Sequence, residues 1–520
     1  MNTRHGAGKS RLRFFRAHRI YEEDLSGSCR PGHSQIRGGF MKYENGKVTD
    51  LQIAYIGGGS RGWAWTFMTD LALEKELSGT IRLYDIDREA AIRNAVIGNR
   101  LTSRPDVSGK WAYEVHDTLE SALTGSDFVV ISILPGTFDE MESDVHLPER
   151  SGIWQSVGDT AGPGGIVRAL RAVPMFVTIA EAVRDFAPGA WVINYTNPMS
   201  LLVKTLYRVF PGIKAFGCCH EVFGTQKVLA AAAEEVLGIP DVRREDVHVN
   251  VLGINHFTWF DQASYKGYDL FPVYEEFIRR HPEGYDEPDR NWMNSTFNCA
   301  HLVKFDLFRR FGAIAAAGDR HLAEFMPGDD YLRDPETVAR WKFGLTPVSW
   351  RKNDLLMRLQ RSERLYQGTE EFSLEPTGEE GILLIKALCG LTRVVSNVNI
   401  PNSGLPGRVA PSFGEKGFQI PNLSASAVVE TNAVFSRDSV RPLQAGPLSE
   451  ALLPLVKVHT DAHERILDAA LGCDFEPAFE AFMKDPLVIG RVNMEEGRAL
   501  LTEMIRNTLR YLPEAWKDLR

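Results

Sequence analysis

Leu51-Gln52-Ile53-Ala54-Tyr55-Ile56-Gly57-Gly58-Gly59-Ser60-Arg61-Gly62 is the stretch on which the fold is read. Its first six residues, mostly apolar, predict a short buried strand. A glycine-rich turn follows, and residues 63–76 then carry helical spacing. Gly57, Gly59 and Gly62 fit GxGxxG in the strand–turn–helix setting that this pattern requires. The first glycine permits the tight turn, the second lets backbone approach a pyrophosphate, and the third permits close packing of helix on strand. The helix N-terminus offers free N–H groups and a positive dipole end to the phosphates, with Ser60 in the cradle. A second strand, 81–85, ends on Asp85, 23 positions after Gly62. An acid there accepts hydrogen bonds from the adenosine ribose and repels a 2′-phosphate, so NAD is expected rather than NADP.

Outward from this stretch, strands and helices alternate. Helices are predicted at 88–102, 167–186 and 225–237, and apolar strands at 127–133, 190–195 and 214–217. The alternation predicts an α/β fold, a Rossmann-type doubly wound parallel sheet over residues 50–245. Beyond Pro240 it is lost. Residues 247–252 and 258–264 read as strands, and 379–396 and 448–471 as long helices. Residues 246–520 are therefore expected to form a C-terminal mixed α+β domain for substrate and metal, packed on the carboxyl ends of the sheet.

The chain has 520 residues, 44% hydrophobic and 24% charged, which suits a globular protein with more than one domain. No apolar run is long enough to span a bilayer. The net charge of −9 argues against nucleic acid and membrane surfaces as partners. Six cysteines without CxxC spacing fit reduced thiols in a cytoplasm. The first 40 residues hold eight Lys or Arg against three acids. Residues 1–45 are read as a basic, disordered tail, with a nucleic-acid arm as the alternative.

Polar residues gather at predicted strand ends: Asn194-Tyr195-Thr196-Asn197-Pro198-Met199, Cys218-Cys219-His220-Glu221 and Gly253-Ile254-Asn255-His256. Ligands of doubly wound folds sit at such ends. A Cys thiolate and a His imidazole suit a transition metal with open positions. A buried packing thiol and a satisfied core histidine are the plainer alternatives. From the residues alone both stay open, and so does a 2-hydroxy-acid dehydrogenase using the same NAD site.

Ordered blocks along the chain add a resemblance. They are Ile56-Gly57-Gly58-Gly59-Ser60, Gly158-Asp159-Thr160-Ala161-Gly162-Pro163-Gly164-Gly165, Tyr195-Thr196-Asn197-Pro198-Met199, Cys219-His220-Glu221-Val222, Gly253-Ile254-Asn255-His256-Phe257, Gly318-Asp319-Arg320-His321-Leu322-Ala323-Glu324-Phe325, Asn399-Ile400-Pro401-Asn402-Ser403-Gly404, Val428-Val429-Glu430 and Asp485-Pro486-Leu487. From Leu51 almost to the C-terminus the chain resembles glycoside hydrolase family 4, the NAD- and metal-dependent glycosidases, an exception to the two-carboxylate scheme. The resemblance implies a redox route. NAD takes a hydride from C3 of the sugar, a base removes the acidified C2 proton, the glycosidic oxygen is eliminated, water adds, and the hydride returns. A divalent metal, usually Mn²⁺, binds the C2 and C3 oxygens.

The resemblance further implies that Cys219 and His256 are metal ligands, Asn197 and Asp159 line the substrate crevice with Arg168, and His220 relates to the leaving group. Asp319 falls where the proton-abstracting base is placed, with a helix-capping or salt-bridged Asp as the alternative. Cys219-His220-Glu221-Val222 looks most like the α-galacturonidase-type members, with an α-glucuronide or α-galactoside as alternatives. A uronate carboxylate calls for a cation, with Arg320 or Arg408 proposed. Homo-oligomers are usual in the resembling family.

Overall fold

The computed structural model describes residues 41–287, 299–405 and 418–518. The basic segment 1–40, Cys29 within it, and Arg408 lie outside the described residues. The end of the expected tail is folded: Lys42–Glu44 is a strand paired antiparallel with Lys47–Thr49. Asn45 and Gly46 turn this hairpin with φ of 50° and 74°. Two consecutive positive φ values are what an Asn-Gly hairpin turn supplies. The next strand accordingly starts at Lys47, not Leu51.

Six parallel strands lie side by side in the order Lys110–Val115, Leu77–Tyr84, Lys47–Ile56, Phe128–Ile131, Trp191–Asn194, Lys214–Gly217. In chain order this is 3-2-1-4-5-6, the arrangement of the dinucleotide-binding fold. Successive strand residues face opposite sides. Ala54, Ile56, Val129 and Ile131 pack on one face with the helix Gly162–Phe186. Ile53, Tyr55, Phe128 and Val130 pack on the other with the helices Trp63–Leu73 and Arg88–Thr102. Both faces are covered, which is why these strands read as continuous apolar runs. The edge strand Lys110–Val115 alternates Trp111 and Tyr113 inward with Lys110, Ala112 and Glu114 outward, so it lacks that signal.

The second half contributes to the same sheet. Val394–Pro401 pairs antiparallel with Lys214–Gly217, and Val428–Ser436 and Ser439–Pro442 follow it outward. The long helix expected over 379–396 is therefore corrected. The helix spans Gly381–Leu388 and ends near Gly390, at φ 84°. The β-branched Val394, Val395, Val398 and Ile400 then favour a strand. A smaller sheet is built on the hairpin His248–Ile254 and Phe257–Tyr265. No helix among the described residues is long and apolar enough to cross a membrane.

Candidate functional site

The site is built at the carboxyl ends of the parallel strands, beginning with the glycine turn. Gly57 has φ 95°, and a Cβ there would run into the Ser132 carbonyl oxygen at the end of the neighbouring strand. Only glycine fits both demands. The Gly59 N–H donates to Asp85 Oδ2 at 2.8 Å, and the Asp87 N–H donates to Asp85 Oδ1 at 2.8 Å. Asp85 thus braces the turn from the next strand, and its remaining lone pairs can still accept from a ribose. No side chain caps the helix Trp63–Leu73, so its N-terminus faces the cradle open. Ser60 lies in the turn, where its N–H donates to Gly57 O at 3.0 Å.

His256 comes from the hairpin. Ile254 pairs with Phe257, so Asn255 and His256 are its two turn residues. His256 holds φ 63°, a left-handed conformation that costs a non-glycine residue about 1–2 kcal/mol. The fold fixes it there. Phe257 stacks on Phe325 with ring centroids 4.9 Å apart, and Phe325 ends the short helix Asp319–Phe325. His321, four residues earlier, shares that helix face. Its ring lies 3.8 Å from the His256 ring, centroid to centroid. Ligand atoms of Asp159, His256 and His321 all lie within 4.8 Å of one another.

A single hydroxyl settles the His256 tautomer. Thr160 Oγ1 donates to Asp159 Oδ1 at 2.8 Å and lies 3.0 Å from His256 Nδ1. Its one proton is committed to Asp159, so Nδ1–H must donate to it and Nε2 keeps a free lone pair. Burial, with His321 beside it, pushes His256 down to about 3, so the ring is neutral. That is the form in which imidazole binds metals. Burial by itself raises the Asp159 pKa, but the Arg168 guanidinium reverses this and holds it well below the usual carboxylate range. Arg168 also donates from Nε to the Asn197 carbonyl at 3.1 Å. Asn197 Oδ1 is buried with no partner among the described residues.

Two buried carboxyls hold the Asp159 loop. Glu324 Oε1 accepts the Val157 and Gly158 N–H groups at 2.7 and 2.8 Å. Asp485 accepts the Leu487 N–H at 2.9 Å and the Gly162 N–H. Burial pushes Asp485 up to about 7, against 3.8 for an ordinary Asp. Between those values the folded chain keeps a proton that the unfolded chain has lost. Stability therefore falls as pH rises through that window. Asp485→Asn is expected to flatten this part of the stability curve between pH 4 and pH 7, measured by urea midpoints. An unchanged slope would show that Asp485 is ionised in the folded state.

Cys219 follows the sixth parallel strand. Its thiol is pushed well up by burial, with Glu430 and Glu221 adding, while the Glu221 N–H and the Asn255 side chain favour the thiolate. Behind it, Asn397 Nδ2 donates to the Cys219 carbonyl at 3.0 Å and to Glu430 Oε1 at 2.6 Å, and Asn255 Nδ2 donates to Glu430 Oε2 at 3.3 Å. This buried network ties the thiol's strand to the His256 hairpin. His220 Nδ1 lies 3.0 Å from Glu379 Oε1. Burial lowers the His220 pKa, but Glu379 outweighs it and raises it to about 9, so the imidazole is charged.

Asp319 is placed differently from the expectation. It is fully buried and accepts the N–H groups of Val303 and Lys304 at 3.1 and 3.2 Å. Its carboxylate clusters with His301 and Cys299, apart from Asp159, His256 and His321. Residues two apart on a helix point about 200° apart. His321 therefore faces His256, and Asp319 caps the helix Leu302–Phe311. Arg320 Nη2 donates to the Ser156 carbonyl at 3.2 Å. Reading by sequence singled out Cys219, His256, Asp159 and Asn197 but gave no role to His321, Glu221, Glu379, Asn397 or Glu430. Asn397 and Asn399, two apart in an apolar strand, were the one local sign of a polar face.

The profile of family 4 glycosyl hydrolases matches residues 52–235, and the profile of their C-terminal domain matches residues 251–488. An alpha-galacturonidase of Lachnoclostridium phytofermentans is 63% identical over 477 residues, 92% of this chain and all of the relative. The crystal structure of a Bacillus subtilis protein described provisionally as a glucosidase is 51% identical and superposes with a TM-score of 0.80, over 88% of this chain and all of that one. A 6-phospho-alpha-glucosidase from gut microorganisms, crystallised with NAD and Mn²⁺, shares the fold at 20% identity and a TM-score of 0.70, over 89% of this chain and 99% of that one.

Proposed function

The chain belongs to family 4 of the glycosyl hydrolases, and on that premise we propose that it cleaves α-galacturonides with NAD and a divalent metal, Mn²⁺ by preference. The observation that carries the reading is the cluster of Asp159, a neutral His256 and His321, whose ligand atoms all lie within 4.8 Å of one another, with Cys219 tied to the His256 hairpin through Asn397, Glu430 and Asn255. A soft thiolate, an imidazole with Nε2 free and a carboxylate suit a divalent transition ion with positions left for sugar oxygens. The identity to alpha-galacturonidases, 63% and 57% over nearly their whole length, supports the substrate class. Alpha-galactosidases of Bacillus subtilis and Rhizobium meliloti match at 27% and 22%.

Bound here, NAD supplies a reversible hydride acceptor for C3 of the sugar, and the metal supplies Lewis-acid charge at the C2 and C3 oxygens. Cys219 and His256 would hold the ion, with Asp159 and His321 beside His256. Thr160 fixes the His256 ring in its ligating tautomer. The unpartnered Asn197 Oδ1 accepts from a sugar hydroxyl. His220, kept charged by Glu379, protonates the departing glycosidic oxygen. Proton abstraction at C2 falls to His321. Its ring is kept neutral by burial, its Nδ1 has no partner among the described residues, and Glu221 lies 3.8 Å from its Nε2 to stabilise the imidazolium. Asp319, the position suggested by resemblance, serves instead to hold the helix that carries His321.

The test is incubation with an aryl α-galacturonide, NAD⁺, Mn²⁺ and a thiol reductant. Cleavage that needs all of them, without NADH accumulation, is the expected result; stoichiometric NADH would return the chain to ordinary dehydrogenase chemistry. In D₂O, His321→Asn is expected to abolish deuterium incorporation at C2, while Asp319→Asn keeps it and lowers the melting temperature. The reverse pattern would restore Asp319 as the base. The free thiols of the described cysteines fit a reducing cytoplasm, and we take the enzyme to be a homo-oligomer without nucleic-acid partners.

A further inference from the structure

A half-buried guanidinium beside the site makes no ion pair. Arg351 lies in the first turn of the helix Val348–Gln367. Its Nε is buried with no hydrogen-bond partner, and among the described residues no carboxylate comes within 4.0 Å of its guanidinium. The neighbouring arginines each make at least one hydrogen bond. Arg171 pairs with Asp144 at 3.1 and 2.5 Å, Arg168 donates to Asn197 O, and Arg320 donates to Ser156 O. A buried N–H without a partner is costly, and the cost is removed when an anion arrives to accept from it.

The position of Arg351 follows from the helix. Thr346, just before it, donates its N–H to the Ser156 carbonyl at 3.0 Å, three residues from Asp159. Val348 packs on Met141 and Val145, and Arg351 shares that face. Asp159 is the foremost attraction on Arg351, and Arg168 and Arg320 both lie close enough to feel its charge. Seven residues further along, Arg358 Nη1 donates to the Arg61 carbonyl at the glycine turn, 3.0 Å away. Two helical turns, about 10.5 Å, separate the two arginines. Arg358 therefore stands at the pyrophosphate end of the crevice, and Arg351 at the end holding Asp159 and His256.

We propose that Arg351 is the residue that recognises the C6 carboxylate of the uronide, pairing with it when the sugar lies against Asp159 and His256. The assignment rests on the galacturonide reading above and replaces Arg320, whose guanidinium is already bound to Ser156. Arg suits the role because its planar fork meets a carboxylate through two parallel hydrogen bonds. A neutral hydroxymethyl group at C6 gives Arg351 nothing to pair with, so the same contact would discriminate against galactosides.

The experiment compares the holoenzyme with Arg351→Gln and Arg351→Lys on an aryl α-galacturonide and the matching aryl α-galactoside. Arg351→Gln is expected to lose on the order of 10²–10³ in kcat/KM on the galacturonide, mostly through KM. Its kcat/KM on the galactoside should stay level or rise, and Arg351→Lys should recover part of the galacturonide rate. Equal losses on both substrates would overturn the proposal, and so would weakened NADH binding in Arg351→Gln, which would place Arg351 on the cofactor. Wild-type enzyme that cleaves the galactoside but not the galacturonide would overturn the substrate reading itself, and the assignment with it, before any variant is made.

Discussion

Cys219→Ser is expected to abolish turnover and metal affinity together. A serine hydroxyl does not ionise near neutral pH, so the one soft anionic donor of the site is lost. Lewis-acid stabilisation is worth several kcal/mol, and a loss of about 4 kcal/mol corresponds to roughly a 10³-fold lower kcat/KM. Mn²⁺ binding, followed by the paramagnetic resonance of the free ion, should fall in parallel. Folding should be nearly unaffected, since Asn397 grips the Cys219 carbonyl and not its side chain. A serine variant with full activity and unaltered Mn²⁺ stoichiometry would remove Cys219 from the metal. The wild-type thiol, once ionised by the metal, should also make activity sensitive to oxidants and recoverable with a reductant.

Gly57→Ala has the second large effect, on the cofactor side. The substitution asks alanine to hold φ 95° and places its methyl against the Ser132 carbonyl. Backbone strain costs about 1–2 kcal/mol, and overpacking a further 1–3 kcal/mol. The turn relieves both by moving away from the strand end, and that movement breaks the phosphate cradle. NADH affinity, read by fluorescence, should fall by about two orders of magnitude if ~3 kcal/mol of the strain is carried into the bound state. The urea midpoint should drop as well. Unchanged NADH affinity with an unchanged midpoint would mean that the turn tolerates a side chain and has been read wrongly.

These two residues differ in how they could be found. Gly57 was legible because its requirement is local: a strand, a turn and a helix within a dozen residues fix the backbone, and the spacing of glycines records it. Asp85 was legible for the same reason, at the end of the next strand. Cys219 and His256 were visible only as polar residues at strand ends, where packing thiol or core histidine was the plainer reading. Resemblance, not spacing, chose between them. Glu324 and Asp485 could not be assigned from sequence, because each works by accepting backbone N–H groups of a loop far along the chain.

Asp319 and His321 mark the boundary between the two kinds of information. Local pattern placed a polar block at 318–325 and resemblance gave it a catalytic part. Which of its side chains meets His256 depends on the rotation of the helix Asp319–Phe325. That rotation is set by the Phe257–Phe325 stack, a contact between residues 68 apart in sequence. The hydrophobic pattern and glycine spacing were sufficient for five of the six parallel strands and for the cofactor turn, since these follow from the periodicity of apolar residues along the chain and from steric limits on φ. The orientation of His321, the burial of Asp319 and the unpaired charge of Arg351 arise from long-range packing. No local preference encodes them, and they exist only once distant helices close on the ends of the strands.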